Sequence, residues 1–139
     1  MPNHVTNQLV IYSDEEGEVQ RILEEIKTVT DEEYRLLDFE KIVPHPDNLF
    51  TGNLGSNERE QCAREGRPNW YDWQIENWGT KWNAYDISVE DDGYGQVTVT
   101  FDTAWTAPFP IIDALREKYP NASFYGSWLE EGHQSAGVF

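Results

Sequence analysis

The chain has 139 residues, a net charge of −16 and an isoelectric point near 4.3. This length predicts one domain with a hydrophobic core, and 38% hydrophobic and 14% aromatic residues argue against disorder. The charge argues against direct binding to a nucleic-acid backbone, because Lys and Arg must neutralise the phosphates and only 10 oppose 26 Asp and Glu.

The N-terminal sequence and the cysteine content predict a location and exclude some cofactors. The first four residues, Met-Pro-Asn-His, are not a basic stretch followed by an apolar one, so we expect no signal peptide. No apolar run approaches the roughly 20 residues that cross a bilayer. One cysteine, Cys62, allows no internal disulfide and no iron–sulfur cluster held by this chain alone. We therefore expect a cytoplasmic protein without a cofactor and without membrane contact.

The first part of the chain predicts a strand followed by a helix. Residues 4–12 carry apolar side chains on both faces, which is typical of an internal strand. Ser13 and Glu16 fit a capping box. An apolar stripe at helical spacing then predicts an amphipathic helix: Val19, Ile22, Leu23 and Ile26. Residues 30–33 repeat the capping pattern over a short turn, and the prolines within 42–46 predict an edge segment or an ordered loop.

Residues 68–86 hold four of the six tryptophans, and we expect the fold to be organised around them. Asn69 is a predicted N-cap, residues 70–78 a helix and Gly79 its C-terminal stop. At 100° per residue this helix has two aromatic faces and is predicted to be wedged against other structure on both sides. The predicted faces are Tyr71, Ile75, Trp78 and Trp82 on one side, and Trp70 and Trp73 on the other. Trp82 follows the stop at Gly79, so the chain can leave the helix line before it. We interpret the segment from about residue 44 to about residue 83 as an insertion within a single domain.

The second part of the chain predicts a hairpin, a helix and a strand. Residues 84–90 and 96–101 alternate between polar and apolar, with a glycine-containing turn between them, and so predict an antiparallel hairpin with one buried face. A helix is predicted from near Pro110 to Pro120, a strand over 122–129 and a brief return over 136–139. The order β-α-(insertion)-β-β-α-β predicts an α+β fold of the ferredoxin-like split βαβ type. This fold has a four-stranded antiparallel sheet with two helices on one face.

Four segments of this sequence resemble the Api-ninety-two-like family, whose ferredoxin-like domain is encoded largely on phages and plasmids. They are Met-Pro-Asn-His-Val-Thr-Asn at 1–7, Phe-Glu-Lys-Ile-Val-Pro-His-Pro at 39–46, the tryptophan-containing stretch 77–86 and Phe-Asp-Thr-Ala-Trp-Thr-Ala-Pro at 101–108. The resemblance implies the fold given above and an origin in a mobile genetic element. The resemblance implies no activity. The term ferredoxin-like describes the topology and does not imply an iron–sulfur cluster.

The sequence gives no catalytic or metal signature. His4, His45 and His133 have no spacing suited to zinc, alone or with Cys62, so we expect no metal site. There is no Gly-x-Ser-x-Gly elbow, and a dyad of Cys62 with His45 or His133 stays open as a weak alternative.

One group of residues is a candidate ligand-binding site because polar side chains lie close in sequence to indoles. Its members are Trp78, Lys81, Trp82, Asp86, Asp102 and Trp105. The structural alternative, which we favour, makes Asp102 an acceptor for an indole N–H or a backbone turn. Base stacking on the tryptophans is disfavoured because acidic residues surround them.

These features favour a small acidic non-enzymatic protein of a phage or plasmid that binds a protein partner with a basic surface. A more specific form is an inhibitor of a host-defence or nucleic-acid-processing protein whose basic groove would accept the acidic face. The ordinary alternative is that the charge only keeps the protein soluble. Two further alternatives are a small-ligand binder or enzyme with the candidate site above, and a structural module that assembles into oligomers. The sequence leaves the oligomeric state open.

Overall fold

A computed structural model describes residues 3–132 and 135–139. The chain folds around a five-stranded antiparallel sheet in the order β4-β5-β1-β6-β7. These strands are β1 (His4–Tyr12), β4 (Tyr85–Asp91), β5 (Gln96–Ala104), β6 (Ser123–Glu130) and β7 (Ala136–Val138). A separate two-stranded hairpin consists of β2 (Thr28–Val29) and β3 (Tyr34–Arg35).

The order of the four longer strands is that of the ferredoxin-like fold. Strand β1 pairs with β5 on one side and β6 on the other, so Leu9 lies opposite both Val99 and Gly126. The predicted fold class is confirmed, and so is the internal position of the first strand. The sheet has one strand more than predicted, because the return at the C-terminal end pairs with β6 through Trp128 and Gly137.

Four α-helices and one short 3-10 helix complete the fold. The α-helices are α1 (Glu18–Ile26), α2 (Ser56–Glu65), α3 (Trp70–Trp78) and α4 (Phe109–Lys118), and the 3-10 helix is Phe39–Lys41. Helices α2 and α3 lie within the segment predicted to be an insertion, 44–83. No helix of the described chain is long and apolar enough to span a bilayer.

The hydrophobic core lies between one face of the sheet and the helices. Alternate residues of β1 and β5 point into it, including Leu9, Ile11, Val99 and Phe101, which are 1% exposed or less. Helices α1 and α4 contribute their apolar stripes: Val19, Ile22, Ile26, Ile111, Ile112 and Leu115. The opposite face of the sheet, which we call the open face, carries the other parity of each strand.

The predicted capping box at the first helix is wrong. Helix α1 begins at Glu18 after Gly17, whose φ of 81° places it in the left-handed region. The Ser13 hydroxyl instead donates to the Glu18 carboxylate at 2.7 Å and accepts from the Glu15 N–H at 3.1 Å. The chain therefore makes one more turn before the helix starts, and Ser13 holds that turn.

The bounds and caps of α3 are confirmed, but its predicted faces are partly wrong. The Asn69 side chain accepts from the Asp72 N–H at 2.9 Å, and Gly79 ends the helix with a φ of 79°. The buried residues of α3 are Gln74 and Trp78, whereas Ile75 is 38% exposed. The left-handed Gly79 turns the chain, and Trp82 leaves the helix line and is 39% exposed. The helix therefore buries one narrow stripe and is not wedged between two surfaces.

Candidate functional site

The end of β5 and the exit of α3 are joined by hydrogen bonds that position the candidate site. The buried Thr80 hydroxyl donates to the Ala104 carbonyl at 2.7 Å and accepts from the Ala104 N–H at 3.1 Å. The Thr106 hydroxyl donates to the Gly79 carbonyl. The Gln74 amide donates to the Lys81 carbonyl at 2.5 Å. Residues 79–82 are thereby fixed against 104–106, although about twenty residues separate them in sequence. We call these two joined segments the platform.

This platform places Lys81 among three aromatic rings. The ammonium nitrogen, Nζ, lies 4.8 Å from the centroid of the Trp82 ring, 5.1 Å from that of Trp105 and 5.9 Å from that of Tyr71. All three distances are within the roughly 6 Å at which a cation is attracted to an aromatic face. We call Tyr71, Lys81, Trp82 and Trp105 the outer cluster. Trp82 and Trp105 are each 39% exposed, so solvent reaches it.

A tyrosine surrounded by carboxylates borders the outer cluster. The Tyr85 ring packs edge-on against Trp82 with 6.4 Å between centroids, and its hydroxyl hydrogen-bonds to Nδ1 of His4. Burial is the largest cause that raises the pKa of Tyr85 to about 12, and the negative charges of Asp102, Asp86 and Glu131 contribute in the same direction. This end of the sheet therefore has a negative potential beside the outer cluster.

Trp78 belongs to a different group of rings, the inner cluster of Phe39, His45, Trp73 and Trp78. Trp78 is 2% exposed, its indole N–H donates to the Val43 carbonyl at 2.9 Å, and the His45 ring lies 4.7 Å from it. The two nitrogens of His45 contact the Glu40 carboxylate at 2.6 Å and the Gln74 amide oxygen at 3.0 Å. Both ring nitrogens of His45 thus have partners other than the Cys62 thiol, which disfavours the alternative of a dyad between Cys62 and His45.

The structure thus brings three of the six predicted site residues together, Lys81, Trp82 and Trp105. Asp86 and Asp102 lie nearby, where they act on Tyr85. The Asp102 carboxylate accepts from the Thr6 hydroxyl at 2.9 Å, so the prediction that it accepts from an indole or a turn is wrong. Asp102 points to the open face, opposite Thr6 in register.

The sequence reasoning missed Tyr71 and Tyr85 as parts of this site. The helical pattern places Tyr71 on the same face of α3 as Trp78, and nothing local indicates that it packs 6.3 Å from Trp105. A signal for Tyr85 was available, because it precedes Asp86 at the start of the strand that pairs with Asp102. Within residues 3–132 and 135–139, no three His, Cys, Asp or Glu side chains are grouped so as to hold a metal ion. His133, named above as a possible ligand and dyad partner, lies outside the described residues.

Comparison with known families identifies the C-terminal part of the chain. Residues 77–139 match the family described as the ferredoxin-like domain in Api92-like protein. This match supports the assignment of the chain to the Api92-like family. The matched residues run from the last turn of α3 through the sheet to β7, and they include Lys81, Trp82 and Trp105 of the outer cluster. Searches of curated proteins and of solved structures gave no significant match.

Proposed function

We propose that this Api92-like protein is non-enzymatic and acts by binding a protein partner with a basic surface through the open face of its sheet. The observation that carries this proposal is the distribution of charge. None of the five strands of the sheet contains Lys or Arg, so all ten cationic residues lie elsewhere in the chain. By register, Glu90 and Asp102 point to the open face.

The open face also exposes apolar groups that could pack against a partner. Tyr125 is 47% exposed, Leu129 58% and Val138 79%. A groove of about 470 Å³ follows β1, β6 and β7 between Thr6, Gln8 and Leu129. Exposed apolar side chains beside charged ones are typical of surfaces that bind proteins. A phosphate backbone would find no cation on these strands, which favours a basic protein over a nucleic acid as the partner.

Under this proposal the protein works in the cytoplasm as part of a phage or plasmid, and it inhibits a host-defence or nucleic-acid-processing protein. Such a target has a basic groove for its nucleic acid. An acidic competitor would associate quickly with that groove and lose affinity as salt screens the charges. The resemblance to a family encoded on mobile elements supports this specific form.

Affinity capture with matched variants tests the proposal. Glu90→Lys with Ser127→Lys adds three positive charges to the open face, and Glu117→Lys with Gln61→Lys adds the same number on α4 and α2. We expect host proteins captured by the wild type and by the helix control to be lost with the open-face variant and at high salt. The proposal fails if no captured protein distinguishes the two variants, which would support the reading that the charge serves solubility.

A small-ligand binder is the second candidate function, and the outer cluster is the observation that favours it. Three rings around one ammonium form a recognition surface at the end of the sheet. The rings and Lys81 lie outside the five strands that form the docking face, so variants of these side chains test the two functions separately.

A further inference from the structure

The Lys81 ammonium is surrounded by aromatic rings and lacks an acidic partner. The chain has 26 Asp and Glu, yet no ion pair within the described residues includes Lys81. The ammonium instead makes cation–π contacts with the rings of Tyr71, Trp82 and Trp105. In so acidic a protein, a lysine placed over three rings indicates that the rings form a site with its own preference for cations.

The backbone holds this arrangement at an energetic cost. Trp105 has a φ of 71°, in the left-handed region where a residue other than glycine is disfavoured. Asp86, φ 51°, is the only other non-glycine residue of the described chain with a positive φ, and it borders the same site through Tyr85. The Trp105 N–H donates to the Asn3 carbonyl at 2.9 Å, which fixes the residue there. Strained residues concentrate at functional sites, and here the strained residue is one of the rings beside Lys81.

We propose that Tyr71, Trp82 and Trp105 form a binding site for an alkylated ammonium group, and that Lys81 occupies this site in the free protein. A quaternary ammonium keeps the positive charge but has no N–H groups to hydrate, so its methyl groups pack on the rings at a lower desolvation cost than a primary ammonium. Lys81 competes only through its tether, and the Arg59 guanidinium is a second resident cation, 5.2 Å from the Tyr71 centroid. The carboxylates of Asp86, Asp102 and Glu131 around Tyr85 add an attractive potential for the incoming cation.

Two sources could supply this chemistry, a free choline-type molecule or a trimethylated lysine in a protein. The test is a titration of the full-length protein, followed by the NMR signals of the indole N–H groups, with choline and with its neutral isostere 3,3-dimethylbutanol. We expect choline to shift the signals of Trp82 and Trp105 and to leave that of Trp78 unchanged. The neutral isostere should bind at least ten-fold more weakly. Equal shifts with choline and with the isostere would overturn the proposal. So would the absence of any shift with both choline and a peptide that contains trimethyl-lysine.

A second arm distinguishes the sources by comparing choline with a short peptide that contains trimethyl-lysine and with the same peptide unmethylated. Tighter binding of the methylated peptide than of choline assigns the site to a protein ligand, and the reverse order assigns it to a small molecule. If the unmethylated peptide binds as tightly as the methylated one, the preference for alkylation is wrong.

Matched variants show whether the rings and the resident lysine act as proposed. Lys81→Met removes the tethered competitor and should raise the affinity for choline about five-fold, the equivalent of one cation–π contact. Lys118→Met is the control, because Lys118 lies over a single ring, that of Tyr119 at 5.7 Å, and should change nothing. Trp105→Ala should abolish binding and Trp105→Phe should restore part of it. Should Trp105→Ala fail to fold, a loss of choline binding in Lys81→Met would by itself overturn the proposal.

This site is independent of the proposed partner on the open face. The variant Glu90→Lys with Ser127→Lys leaves all three rings in place and should bind choline like the wild type. In the wild type, choline binding without selective protein capture would contradict only the docking proposal, and selective capture without choline binding would contradict only the ammonium site.

Discussion

The inner and outer clusters come largely from the same aromatic segment, yet they are different kinds of structure. In the inner cluster, Trp78 is 2% exposed and its N–H is bonded to a backbone carbonyl. In the outer cluster, Trp82 lies only four residues further along the chain, is 39% exposed and faces an ammonium. Aromatic content alone therefore did not distinguish core from surface.

The difference arises at Gly79. A Cβ at this position would lie 2.5 Å from the Pro110 ring, so the glycine lets α3 and α4 approach closely. Its left-handed conformation ends the helix and directs the next residues toward the end of β5. Trp73 and Trp78, before the glycine, pack in the inner cluster, whereas Lys81 and Trp82, after it, lie beside Trp105. The clusters should consequently respond in opposite ways to substitution, one in stability and the other in binding.

The largest expected effect is on the inner cluster. Trp78→Ala should lower the free energy of unfolding by about 3–5 kcal/mol, because it removes a fully buried ring and leaves a cavity. Urea denaturation followed by circular dichroism measures the loss. Trp78→Phe keeps much of the volume and should cost less. A loss below about 1 kcal/mol for Trp78→Ala would mean that this indole is not part of the core.

The next effect concerns the link between the two clusters. Thr80→Val should lower stability by about 1–3 kcal/mol, because the buried Ala104 N–H loses the hydroxyl that accepts its hydrogen bond. The variant should also release Lys81 and Trp82 from Trp105, seen as shifted indole N–H signals of both tryptophans. Thr80→Ser keeps the hydroxyl and should behave like the wild type. If Val and Ser variants are equally stable, these hydrogen bonds do not hold the platform.

A smaller effect is expected in the outer cluster itself. Trp82→Ala should change the free energy of unfolding by about 1 kcal/mol or less, because the ring is partly exposed and its contact with Lys81 is solvated. The same urea denaturation compares it directly with Trp78→Ala. A loss as large as that of Trp78→Ala would remove the distinction between the clusters.

The smallest effect is on the titration of Tyr85. Its pKa is raised to about 12 in the folded protein from an ordinary value of 10.0, so the folded state holds this proton more tightly than the unfolded state. The contribution of Tyr85 to stability is therefore complete below pH 10 and lost as the pH rises from about 10 to about 12. Ultraviolet absorbance of tyrosinate should show this late titration, and Tyr85→Phe should reduce its amplitude by one tyrosine and leave that of Tyr119.

Asp102→Asn sharpens this measurement. Removing one negative neighbour should lower the pKa of Tyr85, while burial, the largest cause, keeps it above the ordinary value. Tyr119 is an internal control, because burial and Glu25 raise its pKa to about 12 without Asp102. A shift of both tyrosines would point to a general change in the fold.

Much of the fold could be predicted because its signals are local. The alternation in residues 96–101 gave the buried face of β5, and Asn69 and Gly79 gave the bounds of α3, since caps act within one turn. The start of α1 was missed because Ser13 satisfies a different turn, which only the position of Gly17 reveals. For the site, Lys81, Trp82 and Trp105 were predicted together, but Trp78 was wrongly included because its burial depends on residues far away in sequence.

By itself the sequence determined the order of strands and helices, the ferredoxin-like class and the acidic character of the chain, because periodicity, capping and charge depend on neighbouring residues. Only the tertiary structure decided which rings meet. Tyr71 and Trp105 belong to different elements, and their contact requires the Thr80–Ala104 hydrogen bonds and the left-handed backbone at Trp105. Such contacts depend on how separate surfaces pack, and no local pattern of residues encodes that packing.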